Sequence, residues 1–135
     1  MVLGNRKYVP CLYVYNKIDV ITIEEIDRLA RQPHTTVISC ESNLNMDYLL
    51  ERIWKELNLN RVYTKRKGVL PDFSDAIIVR DNATIEHVCH RIHRSLATDF
   101  KYALVWGRST KHNPQRVGLS HLIEDEDVVQ IFKRI

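Results

Sequence analysis

Glycine is scarce in this chain: Gly4, Gly68, Gly107 and Gly118 are the only four, and they lie far apart. That excludes a G-x-x-x-x-G-K-[ST] loop anywhere in the sequence, and no D-x-x-G for a metal and a γ-phosphate occurs either. Phosphoryl transfer rests on a phosphate cradle and Mg²⁺ ligands, so no catalytic residue is assigned and the chain alone is expected to be inactive. Cysteine is also sparse. Cys11, Cys40 and Cys89 are odd in number, widely spaced and without a C-x-x-C pair, which points to free thiols in a reducing compartment and to no metal site. No apolar run approaches the roughly 20 residues that span a bilayer, and residues 1–7 lack a signal-peptide core. The expectation is a cytoplasmic protein without a membrane partner.

Charge is present in both signs but unevenly. The 135 residues carry a net +3. Residues 1–59 hold 7 Lys+Arg against 8 Asp+Glu, whereas residues 60–135 hold 13 against 9 and five of the six histidines. A basic second half is a modest pointer to a polyanionic partner.

The pattern divides at Leu59-Asn60. Residues 8–15 read as a short buried strand ending at Asn16. Thr22-Ile-Glu-Glu25 has the spacing of a capping box, opening a helix to about Arg31 that Pro33 stops. The β-branched run Thr35 to Ser39 reads as a second strand. A helix follows from Met46 to about Asn58, with Met46, Leu49, Leu50, Ile53, Trp54 and Leu57 in one arc of about 140°, expected to face a core. Strand–helix–strand–helix implies a parallel sheet with crossovers.

Residues 60–135 read differently. Strands are expected at 61–65 and 76–79 around the basic turn Lys65-Arg66-Lys67-Gly68. A helix capped by Asn82 or Thr84 should reach about Asp99 with Ile85, Val88, Cys89, Ile92 and Leu96 inward. Further strands are expected at 102–106, near Arg116-Val117, and at 128–132. Tyr63, Tyr102 and Trp106 lie in these strands and are read as core. The turn Glu124-Asp125-Glu126-Asp127 reads as solvated, because consecutive carboxylates suit a Ca²⁺ loop poorly. Two strands, a helix and further strands is the order of an α+β β-grasp, ubiquitin-like domain.

Two motifs carry chemistry. Asn16-Lys17-Ile18-Asp19 follows a strand and precedes a capped helix, where ligands bind at the carboxyl ends of parallel strands. A carboxylate at Asp19 matches the N1–H and 2-amino donors of guanine, a pair that adenine lacks. The Asn16 amide suits N7, and the Lys17 stem suits the flat ring. Ser39-Cys40-Glu41 ends the neighbouring strand, with the Cys40 N–H available for guanine O6. Elsewhere, His87, His90 and His93 recur every three residues beside Arg91 and Arg94. With no carboxylate or thiol ligand obvious nearby, they read as an exposed basic face that, with Lys65, Arg66 and Lys67, can meet phosphates.

The runs "YVPCLYVYNKID", "VISC", "DYLLERIW", "YTKRKG", "HVCHRIHRSLA", "FKYALVWG" and "EDEDVVQI" together resemble the C-terminal part of the developmentally regulated GTP-binding (DRG) family of Obg-like GTPases. The resemblance implies that residues 1–59 are the C-terminal part of a P-loop GTPase domain and residues 60–135 a TGS domain, the β-grasp module shared with threonyl-tRNA synthetases and SpoT-type enzymes. It maps guanine contacts onto Asn16, Lys17, Asp19, Ser39 and Cys40. It implies GTP or GDP with Mg²⁺ in a full-length parent, with no tight binding by this portion. The partners it implies are translating ribosomes or RNA and a DRG-family regulatory protein with an RWD or zinc-finger element, in the cytoplasm. Two features depart from the family pattern: Glu41 stands where small residues are common, and the phosphate loop and switches are missing. The alternative is a free-standing β-grasp module that contacts protein or RNA and binds no nucleotide.

Overall fold

The computed structural model describes residues 4–135. Met1, Val2 and Leu3, which open the stretch read above for a signal peptide, lie outside them. The chain forms two compact units, Met1–Leu57 and Asn58–Ile135.

In the first unit, β1 (Tyr13–Tyr15) pairs in parallel with β2 (Thr35–Val37), in the register Tyr13↔Thr35, Val14↔Thr36 and Tyr15↔Val37. Between them come a 3₁₀ turn, Ile18–Val20, and helix α1 (Ile23–Ala30). Thr22 caps α1 by accepting the Glu25 N–H at 3.3 Å. Among the described residues the reciprocal bond from Glu25 is not made, so the capping box is only half formed. Helix α2 (Met46–Leu57) follows β2; Asn45 Nδ2 fixes its start by donating to the Val37 carbonyl at 3.1 Å.

Two expectations fail here. The strand read over residues 8–15 shrinks to three residues and is not buried, with Tyr13 58% exposed. A strand with one neighbour in a two-stranded sheet lacks the flanking strands and layers that bury β1-type residues. The apolar arc of α2 is likewise open: no residue of the helix is buried, and Leu50 and Leu57 are 65% and 57% exposed. Its amphipathic pattern is real, but little of this unit packs on it. Among the described residues of the unit, the buried ones are instead Ile18 and the run Thr35 to Ser39.

The second unit is a five-stranded sheet in the order β4-β3-β7-β5-β6, made from β3 (Leu59–Thr64), β4 (Asp72–Arg80), β5 (Phe100–Trp106), β6 (Gln115–Val117) and β7 (Asp127–Lys133). β3 and β7 are parallel neighbours at its centre, and the other pairs are antiparallel. Helix α3 (Ile85–Ile92) crosses one face. This is a β-grasp. Ile85, Val88 and Cys89 of α3 meet Val62, Val79, Ala103, Val105 and Val129 of the sheet in a core that excludes water. Burial pushes the Cys89 thiol above its ordinary pKa, which leaves it a packing group rather than a nucleophile.

α3 ends seven residues before the expected Asp99. His93 is extended at φ −162°, ψ 141°, and its Nδ1 accepts the Ser95 N–H at 3.2 Å. That local side-chain bond competes with continuation of the helix. Arg94 therefore lies in the following turn, not on the helix face beside Arg91.

The acidic turn is solvated at Glu124 and Glu126, as expected, but structural at Asp125 and Asp127. Asp127 is fully buried, and its Oδ2 accepts the Glu124 N–H at 3.0 Å. Asp125 takes the Arg61 N–H at 2.7 Å and the Arg61 guanidinium at 3.2 Å. Gly107, at φ 147°, packs its bare Cα against Asp127, and any Cβ there would collide with that carboxylate.

Candidate guanine-reading site

The backbone after β1 turns sharply because Lys17 adopts the left-handed conformation, φ 67°. The turn is braced by Asn16, whose Oδ1 accepts the Lys17 N–H at 2.7 Å and the Cys40 N–H at 3.1 Å. The Ile18 N–H donates to the Ile38 carbonyl at 3.2 Å, and the Ile18 side chain is buried beneath the loop. The loop after β2 is pinned by reciprocal backbone bonds between Ser39 and Leu44.

The two loops meet at Ser39. Its fully buried hydroxyl donates to Asp19 Oδ1 at 2.7 Å and accepts the Ser42 N–H at 3.2 Å. Asp19 itself is exposed. Each carboxylate oxygen has two lone pairs, so Asp19 keeps acceptor sites for a planar ligand bearing two adjacent N–H donors. Asn16 keeps its Nδ2 donors, since only Oδ1 is engaged. The Cys40 N–H, expected to be free for guanine O6, is instead used inside the loop on Asn16. Asn16, Lys17, Asp19, Ser39 and Cys40 are thus brought together at one end of the β1–β2 pair, and Glu41 is exposed beside them.

The residues assigned to polyanion contact are less united. Lys65, Arg66 and Arg91 line one open cleft of about 400 Å³, but Asp72 and Asp75 line it too. The Asp72 carboxyl sits below its ordinary pKa because the Ser74 hydroxyl and N–H donate to it, so it stays negative. Lys65 folds back: its Nζ donates to the Val69 carbonyl at 2.8 Å and lies 5.7 Å from the centre of the Trp106 ring. Lys67 is exposed on the turn, and Arg94 is displaced as described. A second cleft of about 490 Å³ joins Arg91 to Arg80, His87 and His90. Arg80 was not anticipated, because it ends a strand far from the basic turn in sequence. His87 Nδ1 accepts the Thr84 N–H at 3.0 Å and so caps α3. Among the described residues no group of three or more His, Cys, Asp or Glu converges as a metal site would require.

Tyr63, Tyr102 and Trp106, read as core, are half-buried on the sheet face opposite α3. The signal was present in β5, where Ala103 and Val105 are the small, fully buried partners of the core. Period-two alternation then puts Tyr102, Leu104 and Trp106 on the other face.

Comparison with known proteins gives this geometry its context. Residues 1–59 match a family model described as the C-terminal region of MMR_HSR1 domain, and residues 60–133 match the TGS domain. The chain is 65% identical over 134 residues to developmentally-regulated GTP-binding protein 2 of Homo sapiens, and 63% identical over 134 residues to GTP-binding protein 1 of Schizosaccharomyces pombe. Each alignment covers 99% of this chain and 37% of the relative. The chain belongs to the DRG family. It spans 37% of the length of those relatives. Among solved structures, a GTP binding protein from Pyrococcus horikoshii superposes with a TM-score of 0.67 at 18% identity, over 92% of this chain and 46% of that one. The YchF GTPase of Schizosaccharomyces pombe superposes at 0.50 with 13% identity, over 83% and 30%. At such identities the likeness concerns the fold.

Proposed function

We propose that this chain is the base-reading and TGS portion of a DRG-type GTP-binding protein that works with ribosomes in the cytoplasm. The observation that carries the reading is the bonded set Ser39–Asp19 and Cys40–Asn16, which preorganises a carboxylate and an amide for the edge of guanine. Asp19 accepts N1–H and the 2-amino group, Asn16 Nδ2 donates to N7, and the Lys17 stem covers the ring. Contact with O6 requires the Cys40 N–H to be shared between Asn16 and the base. GTP or GDP with Mg²⁺ belongs to a full-length protein with a phosphate loop, and this chain hydrolyses nothing alone. The TGS unit contacts RNA phosphates through Arg66, Lys67 and Arg91, and a DRG-family regulatory protein is the protein partner.

Chemical-shift mapping of the chain with GMP and with AMP tests the base reading. Shifts at Asn16, Asp19 and Cys40 with GMP alone are expected. Equal shifts with both nucleotides, or none with either, favour a β-grasp interaction module that reads no base.

A further inference from the structure

The core of the second unit stays open beside the end of α3. Arg91 and Ile92 are the last residues of the helix, and the chain turns extended at His93 before Leu96 returns to the core. Beside this break lies the cleft of about 400 Å³, floored by Ile77, Ile92, Leu96, Val129 and Ile131. Leu96 and Val129 are buried, Ile77 and Ile131 half-buried, and Ile92 43% exposed. The floor is therefore aliphatic throughout and continuous with the core. Its volume lies within the roughly 300–1,000 Å³ of small-molecule sites.

The rim carries both signs of charge. β4 supplies Asp72 and Asp75, the last turn of α3 supplies Arg91, and the turn after β3 supplies Arg66. Among the described residues none of these four joins an ion pair within 4.0 Å. Lys65 also lines the cleft, but its ammonium already serves the Val69 carbonyl. Two unpaired carboxylates and two unpaired guanidinium groups thus surround one aliphatic floor. We propose that the cleft binds a free aliphatic α-amino acid. Arg66 and Arg91 take its carboxylate, Asp72 and Asp75 its ammonium, and the floor its side chain. An anion alone meets the two carboxylates, and a cation alone meets the two guanidinium groups, so each is disfavoured. An uncharged apolar segment would desolvate the rim charges without pairing them, which is costly. A floor without aromatic rings suits leucine, isoleucine, valine or methionine.

The test titrates L-leucine into the methyl-labelled 135-residue chain and follows the methyl signals of Ile77, Ile92, Leu96 and Ile131 by NMR. Saturable shifts confined to these methyls are expected. Glycine lacks the side chain, 4-methylpentanoate lacks the ammonium, and N-acetyl-leucinamide stands for a leucine inside a peptide; each should bind far more weakly. Asp75→Asn and Arg91→Gln change exposed side chains that the fold does not need. Each should raise the Kd for leucine about fivefold, the worth of a hydrogen bond to a charged group. No saturable shift up to the solubility limit of leucine would overturn the proposal. So would binding by both variants equal to the parent's. If 4-methylpentanoate or inorganic phosphate binds these residues as well as leucine does, the cleft is a plain anion site and the proposal falls. If N-acetyl-leucinamide binds as well, it is a peptide groove and the proposal falls likewise.

Discussion

The Ser39 hydroxyl donates to the Asp19 carboxylate across 2.7 Å, joining side chains twenty residues apart. The bond ties the loop after β2 to the loop after β1 and turns an exposed carboxylate into a fixed acceptor. A hydrogen bond to a charged group contributes roughly 1.5–3 kcal/mol. Ser39→Ala also strands the Ser42 N–H. The variant should lose about 1–3 kcal/mol of stability in the first unit, read by hydrogen exchange at residues 35–44. Unchanged protection would show the bond to be incidental.

Gly107 should tolerate no side chain. Its Cα lies against the buried Asp127 carboxylate, and φ 147° is a region that side chains disfavour. Overpacking at such a site costs roughly 1–3 kcal/mol. Gly107→Ala is expected to lower the denaturant midpoint of the second unit, while hydrogen exchange in the first unit stays as before. A midpoint equal to the parent's would mean that Asp127 can move aside.

Acid should loosen the same corner of the sheet. Burial pushes the Asp125 carboxyl up, but the Arg61 N–H and guanidinium together hold it below the ordinary carboxylate range. The contribution of this depressed group is fully present above the unfolded-state value of about 3.9. It is lost as pH falls through the lower folded-state value. Asp125→Asn should therefore be less stable than the parent at neutral pH, with the difference narrowing below about pH 4. Parallel stability curves down to pH 2 would remove the Asp125–Arg61 pair from the account.

Much of the β-grasp was legible because its strands and helix carry clean periods. Val62, Val79, Ala103, Val105 and Val129 alternate with outward residues, and Ile85, Val88 and Cys89 recur on one helical face. The end of α3 was not legible, since a side-chain bond between His93 and Ser95 decides it. The outward placing of Trp106 was encoded by its alternation with Ala103 and Val105, but that of Tyr63 was not legible, because a large aromatic residue looks like core until the register shows which face α3 covers. The guanine motif was legible as residue types, but the use of the Cys40 N–H within the loop depends on a loop-to-loop contact that spacing does not encode. The open faces of β1 and α2 escaped for another reason: an amphipathic pattern states that a face is apolar, not that anything covers it.

The basic turn makes a salt-dependent prediction. Each phosphate neutralised on a single strand contributes a slope of about −0.7 in log K against log salt. Replacing Lys65, Arg66 and Lys67 by Ala should weaken binding to ribosomal RNA and flatten that slope by roughly 1–2, with Lys65 contributing least because its ammonium already serves the Val69 carbonyl. RNA binding by the triple variant equal to the parent's at low salt would leave the turn as a solvated loop.

The central claim is that Asp19 reads the guanine edge, and exchange of its chemistry tests this most directly. Without phosphate contacts, only base-edge bonds worth about 0.5–3 kcal/mol each work against an association cost of at least about 4 kcal/mol. Binding should therefore be millimolar or weaker, within reach of titration by NMR. Asp19→Asn replaces one acceptor oxygen with an N–H donor, which repels the 2-amino group of guanine and suits the 2-carbonyl of xanthine. The account predicts that the parent chain shifts with GMP and not with xanthosine monophosphate, and that Asp19→Asn reverses this preference. An unchanged preference for GMP in Asp19→Asn would contradict it.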